Sequence, residues 1–95
     1  MSTTIKVTQT KSKPDYQFNV RVEEKDSKTR HQVSMSHDFY SSLNTNQNPQ
    51  EVIRKSFEFL LARESKESIL TEFNVKVITN YFPKFQTTLE QTLEN

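Results

Sequence analysis

Hydrophobic positions change their period once along this chain. From Thr4 to Ser36 they recur at every second residue. Ile5 and Val7 alternate with Thr4, Lys6 and Thr8; Tyr16, Phe18, Val20 and Val22 with Gln17, Asn19, Arg21 and Glu23; His31, Val33 and Met35 with Arg30, Gln32 and Ser34. Successive side chains of a strand point to opposite faces, so this alternation predicts half-buried strands. The separators KSKPD and EKDSK carry Pro, Asp and Ser, whose fixed φ or short polar side chains suit turns. The expected unit is a three-stranded antiparallel meander with one apolar face.

From Ser36 onward the spacing becomes helical. Ser36 can cap a short helix HDFYSSL, with Asp38 near the positive end of its dipole and Phe39 and Leu43 four apart. TNQNP reads as a loop, and Asn48 followed by Pro49 is a helix start with Glu51 in the first turn. Ile53, Phe57, Leu60 and Leu61 form one stripe of that helix, while Val52 and Phe59 fall roughly opposite. A helix apolar on two sides is buried on two sides. The second side is covered either by the chain's own C-terminal helix, in which Phe85, Leu89 and Leu93 recur every fourth residue, or by a second copy of the chain. Val52, Phe59, Phe85, Leu89 and Leu93 are therefore the candidate partner interface, and the sequence leaves monomer and homodimer both open.

Between these two helices, Ser65 can cap a helix through Ile69, Leu70 and Phe73, interrupted at Asn74 before Val75, Ile78 and Phe82. Such a helical hairpin over 66–82 could read DNA or form part of a core. Its second half offers a single cation, Lys76, whereas a phosphate-dominated interface uses several. Pro83 then ends or restarts the chain direction. The whole is an α+β domain spanning residues 1–95, with strands over about 4–36 and four to five helices over about 37–94 packed on one sheet face. Phe57, Leu60 and Phe73 are the expected core anchors.

The segment SFEFLLARESKESIL followed by TEFNVKVITNYFPKF resembles the C-terminal half of a group of short, uncharacterised prokaryotic proteins in which a strand region precedes a similar helical block. The resemblance covers about half the chain. It implies an α+β domain and carries no activity, ligand or site; where the group has a proline after Glu64, this chain has Ser65.

Composition narrows the function further. The 95 residues are 32% hydrophobic with a mean hydropathy of −0.84, polar for a globular domain, and seven Phe and three Tyr supply much of the burial. Cysteine is absent, which removes disulfides and thiolate metal sites and makes the cytoplasm the expected setting. No apolar run approaches the roughly 20 residues of a membrane helix, and MSTTIKVTQT lacks the features of a cleaved signal. Glycine is also absent, which excludes P-loops and dinucleotide fingerprints and leaves Asn44, Asn46, Asn48 and Asn74 as the candidates for positive φ.

The net charge of +1 is uneven: residues 1–31 carry +3, and the two remaining thirds −1 each. The polar sheet face bearing Lys6, Arg21 and Arg30 is accordingly the candidate nucleic-acid contact, with Lys76 as the contact of the helical alternative. His31, His37 and Asp38 would make a metal site only if the chain turned back sharply. His37, Asp38 and Ser41 are neighbours in sequence without the geometry of a triad. The acidic pairs Glu23–Glu24 and Glu64–Glu67 read as solvated or weakly paired with Arg63 and Lys66. No catalytic, metal or cofactor residue is expected. The reading is a small non-enzymatic interaction or accessory protein, with a nucleic-acid-binding regulator as the alternative.

Overall fold

The computed structural model describes residues 3–93. Its strands β1 (Thr4–Lys11), β2 (Tyr16–Glu23) and β3 (Lys28–Met35) pair antiparallel in chain order, as the alternation predicts. Phe18, Val20, Val22, His31, Val33 and Met35 point to one face and are buried there. Their alternate neighbours Gln17, Asn19, Arg30 and Gln32 are exposed on the other.

Helix α1 (His37–Ser42) begins where Ser36 Oγ accepts a hydrogen bond from the Phe39 amide at 3.0 Å. Asn48 caps α2 (Pro49–Leu61) in the same way, its Oδ1 accepting from the Glu51 amide at 2.9 Å. Among the described residues Asn44, with φ 53°, takes the left-handed conformation, whereas Asn48 and Asn74 serve as helix caps in extended backbone. Asn and Asp tolerate positive φ best among residues with a Cβ, so the loop after α1 turns without glycine.

Helix α2 is buried on two sides, and one chain covers both. The Phe57 ring meets His31 of the sheet at 5.2 Å and Phe73 at 6.1 Å. On the other side the Phe59 ring stands edge-on to Phe82 at 5.7 Å and to Phe85 at 5.1 Å, and Arg63 lies over its face at 3.7 Å. Phe85 opens α4 (Phe85–Leu93), whose Phe85, Leu89 and Leu93 are all buried. The five candidate interface residues are thus interior to one hydrophobic core. Within the chain, each of the two apolar stripes packs on the other.

The segment after Ser65 departs most from expectation. Instead of a helix through Phe73, Lys66–Ser68 forms one 3₁₀ turn, and the chain then runs extended into a fourth strand, β4 (Glu72–Asn74), parallel to β3. A second 3₁₀ turn, Val75–Val77, leads into the four-residue α3 (Ile78–Tyr81). The sheet order is β1-β2-β3-β4, so the antiparallel meander is extended by one parallel edge strand. The reason is that β3 would otherwise present unpaired backbone groups beside the core, where each needs a partner. Gln32 N donates to Thr71 O at 2.7 Å at the start of this pairing. Ile69 and Val75 are buried, Phe73 is half-buried, and Leu70, Thr71 and Glu72 are exposed, a pattern without clean alternation in a spacing that also fits a helix.

Candidate binding surface on the open sheet face

Strand alternation assigns Lys6, Arg21 and Arg30 to the face opposite the core, and register then aligns them. Lys6 is the cross-strand partner of Arg21, and Arg21 of Arg30. Three cations therefore form one row across β1, β2 and β3. Neighbouring strands lie about 4.8 Å apart, so the row spans roughly 10 Å. One residue pair further along the strands, Thr8, Asn19, Gln32 and Glu72 form a second row. The core packs on the other face alone, and the two rows line one shallow depression. It continues into a third group containing Gln17, Ser34 and Asn74, where Asn74 Nδ2 donates to Ser34 Oγ at 3.1 Å.

The charges in the cation row are only partly answered. Glu23, at the end of β2, accepts from Arg21 Nη1 at 3.1 Å and lies 3.8 Å from Lys6 Nζ. The hydrogen bond from Arg21 is the main reason its carboxyl is held below the ordinary range. Among the described residues Arg30 has no ion-pair partner. Like charges directly opposite in an antiparallel ladder destabilise it. Sequence reasoning identified the three cations and their face; it missed Glu72, because β4 was read as helix.

Lys76 is exposed on the 3₁₀ turn Val75–Val77 and lines neither depression. The helical hairpin expected over 66–82 does not form: its first half is a 3₁₀ turn and a strand, and α3 has four residues. The two histidines are apart in role. His31 is buried, its Nδ1 donating to Leu70 O at 2.7 Å and its Nε2 accepting from the Thr29 hydroxyl at 2.9 Å in the neutral ring. His37 is exposed, stacks on Tyr16 at 4.2 Å and donates through Nε2 to Ser12 O at 2.5 Å. Among the described residues no group of three or more His, Cys, Asp or Glu could hold a metal ion.

Two further features lie off this face. Lys66 is 3% exposed and donates to Glu24 at 2.9 Å, Glu67 at 2.6 Å and Ser27 at 2.5 Å, clamping the β2–β3 turn to the 3₁₀ turn. Glu24 and Glu67 are thus convergent partners, not the weakly paired charges that their local sequence suggests. Leu70 and Tyr81, the exposed large hydrophobic side chains among the described residues, rim a small apolar pocket floored by Leu60, Ile69, Phe73 and Ile78.

No protein-family model, curated protein or solved structure matches the chain. Among the described residues no helix is long and apolar enough to cross a membrane.

Proposed function

We propose that this protein is a small non-enzymatic binding module of the cytoplasm whose working surface is the open face of the sheet, presented to an anionic partner. The observation that carries this reading is the in-register row Lys6, Arg21 and Arg30. Cross-strand pairing rewards opposite charges or β-branched neighbours, and a row of like charges sacrifices that stabilisation. A ligand bringing negative charge to the row restores it on binding. The helices support the reading by packing on the opposite face, where α2 lies between the sheet and α4. The cytoplasmic setting rests on the cysteine-free composition.

Retention on an immobilised sulfated polyanion tests the surface. Wild-type protein is expected to bind at low salt, and Lys6→Ser with Arg21→Ser and Arg30→Ser to pass through. A control removing the same charge elsewhere, Lys13→Ser with Lys76→Ser and Lys84→Ser, is expected to elute close to wild type. Equal losses in both triple variants would mean that net charge, not this face, governs binding.

A further inference from the structure

We infer that the anionic partner is an unpaired nucleic-acid strand, laid across β1, β2 and β3 with its phosphates on the cation row and its base edges over Asn19, Gln32 and Glu72. This rests on the open face being the binding surface. The two rows are consecutive on one face, about 6.7 Å apart, because side chains on the same face recur every second residue. A sugar-phosphate strand presents its chemistry in the same order, a charged backbone with a hydrogen-bonding base edge alongside it.

The chemistry of each row fits its half of a nucleotide. Arginine offers a planar fork that holds a phosphate by paired hydrogen bonds, and lysine adds a mobile point charge. Asn and Gln side chains combine a donor and an acceptor and can pair with the donor and acceptor of adenine, while a carboxylate accepts from an exocyclic amino group such as that of cytosine. Asn19 and Gln32 are exposed cross-strand partners, and Glu72 follows at the β4 edge.

Glu72 also gives the site a direction. As an anion beside Gln32 it repels a phosphate placed over β4 and so turns the backbone toward the row of cations. An acidic peptide would be drawn by the three cations, but it would meet in the second row two amides and a like charge. A duplex could place phosphates on the first row while its paired base edges stayed out of reach of the second. RNA recognition commonly relies on unstacked bases whose edges are free. Among the described residues no aromatic side chain stands on this face, so binding is set by phosphate charge and base-edge hydrogen bonds.

Fluorescence anisotropy with short labelled oligonucleotides tests this, using single-stranded homopolymers of RNA and DNA, a mixed duplex, polyglutamate and a sulfated polysaccharide. Single strands are expected to bind with a salt slope of about −2, from three phosphates at roughly −0.7 each. Arg30→Ser should reduce that slope by about 0.7. Gln32→Ala and Asn19→Ala should leave the slope unchanged while narrowing the difference between adenine and uracil homopolymers, and Glu72→Ala should do the same for cytosine and uracil. Binding of the polysaccharide or polyglutamate without binding of any single strand would overturn the inference and leave the anionic surface standing. Duplex binding as tight as single-strand binding, insensitive to Gln32→Ala, would overturn it too. Failure to bind any of these polyanions would overturn both it and the proposed function.

Discussion

Arg21 and Arg30 are direct cross-strand partners on an open sheet face, two like charges where an antiparallel pair gains most from opposite ones. If the row is kept for a ligand, the free protein is less stable than it could be. Arg30→Thr is therefore expected to raise stability by ~0.2 to 1 kcal/mol, the range of cross-strand pair effects, and to weaken retention on a polyanion. Urea titration of wild type and variant measures the first, and the binding assay the second. A variant that lost stability would show that Arg30 is held by contacts that favour the fold.

The core assignment makes a stronger demand on Phe57 and Phe59. Both are buried in one chain, Phe57 fully and Phe59 at 8% exposure. Phe57→Ala should cost ~3 to 5 kcal/mol, a large part of the stability of a domain this small. Phe59→Glu would bury a carboxylate among Phe82 and Phe85, so the expected result is loss of the cooperative thermal transition. A folded Phe59→Glu protein would mean that this side of α2 is accessible.

Tyr81 and Leu70 should behave in the opposite way. Tyr81 is 66% exposed and Leu70 49%, and surface substitutions away from special contacts stay within about 0.5 kcal/mol. Tyr81→Ser and Leu70→Ser are expected to leave the melting temperature almost unchanged. A marked drop would show that the apolar pocket they rim contributes to the fold.

His31 ties the sheet to the segment entering β4. Replacing it by Leu removes the donor to the Leu70 carbonyl, and loss of such a hydrogen bond costs about 0.5 to 1.5 kcal/mol. Hydrogen exchange is the more specific readout: the amide of Gln32, which donates to Thr71 O, should exchange faster while those of β1 change little.

The Lys66 clamp predicts the response to pH. The Lys66 hydrogen bond is the largest cause that holds the Glu67 carboxyl below its ordinary 4.5, and the Arg21 hydrogen bond does the same for Glu23. A carboxyl whose folded value is depressed adds stability above its unfolded value, and that stability is lost as pH falls through the folded value. Lys66 is shifted the other way, raised above 10.5 first by Glu67 and then by Glu24. Its contribution is complete below 10.5 and is lost as pH rises through the higher folded value. Thermal melts between about pH 3 and about pH 7 should show a shallower acid-side loss for Lys66→Met than for wild type. Equal slopes would remove the clamp from the account of acid stability.

Alternation by itself determined the two faces of the first three strands, and with them the outward direction of Lys6, Arg21 and Arg30, because the side-chain period of a strand is fixed by its backbone. Helical spacing likewise marked α2 as buried on two sides, though a stripe cannot say whether its cover belongs to the same chain. Packing of α4 onto Phe59 decided that. The residues from Ser65 to Asn74 were ambiguous for a related reason: Ile69, Phe73 and Val75 fit a strand, and Ile69, Leu70 and Phe73 fit a helix. The deciding partner was the open edge of β3, about forty positions away in sequence, whose backbone groups required pairing beside the core. The cation row has the same origin: each of its members is legible from local pattern, but their alignment is a matter of register, which only the assembled sheet supplies.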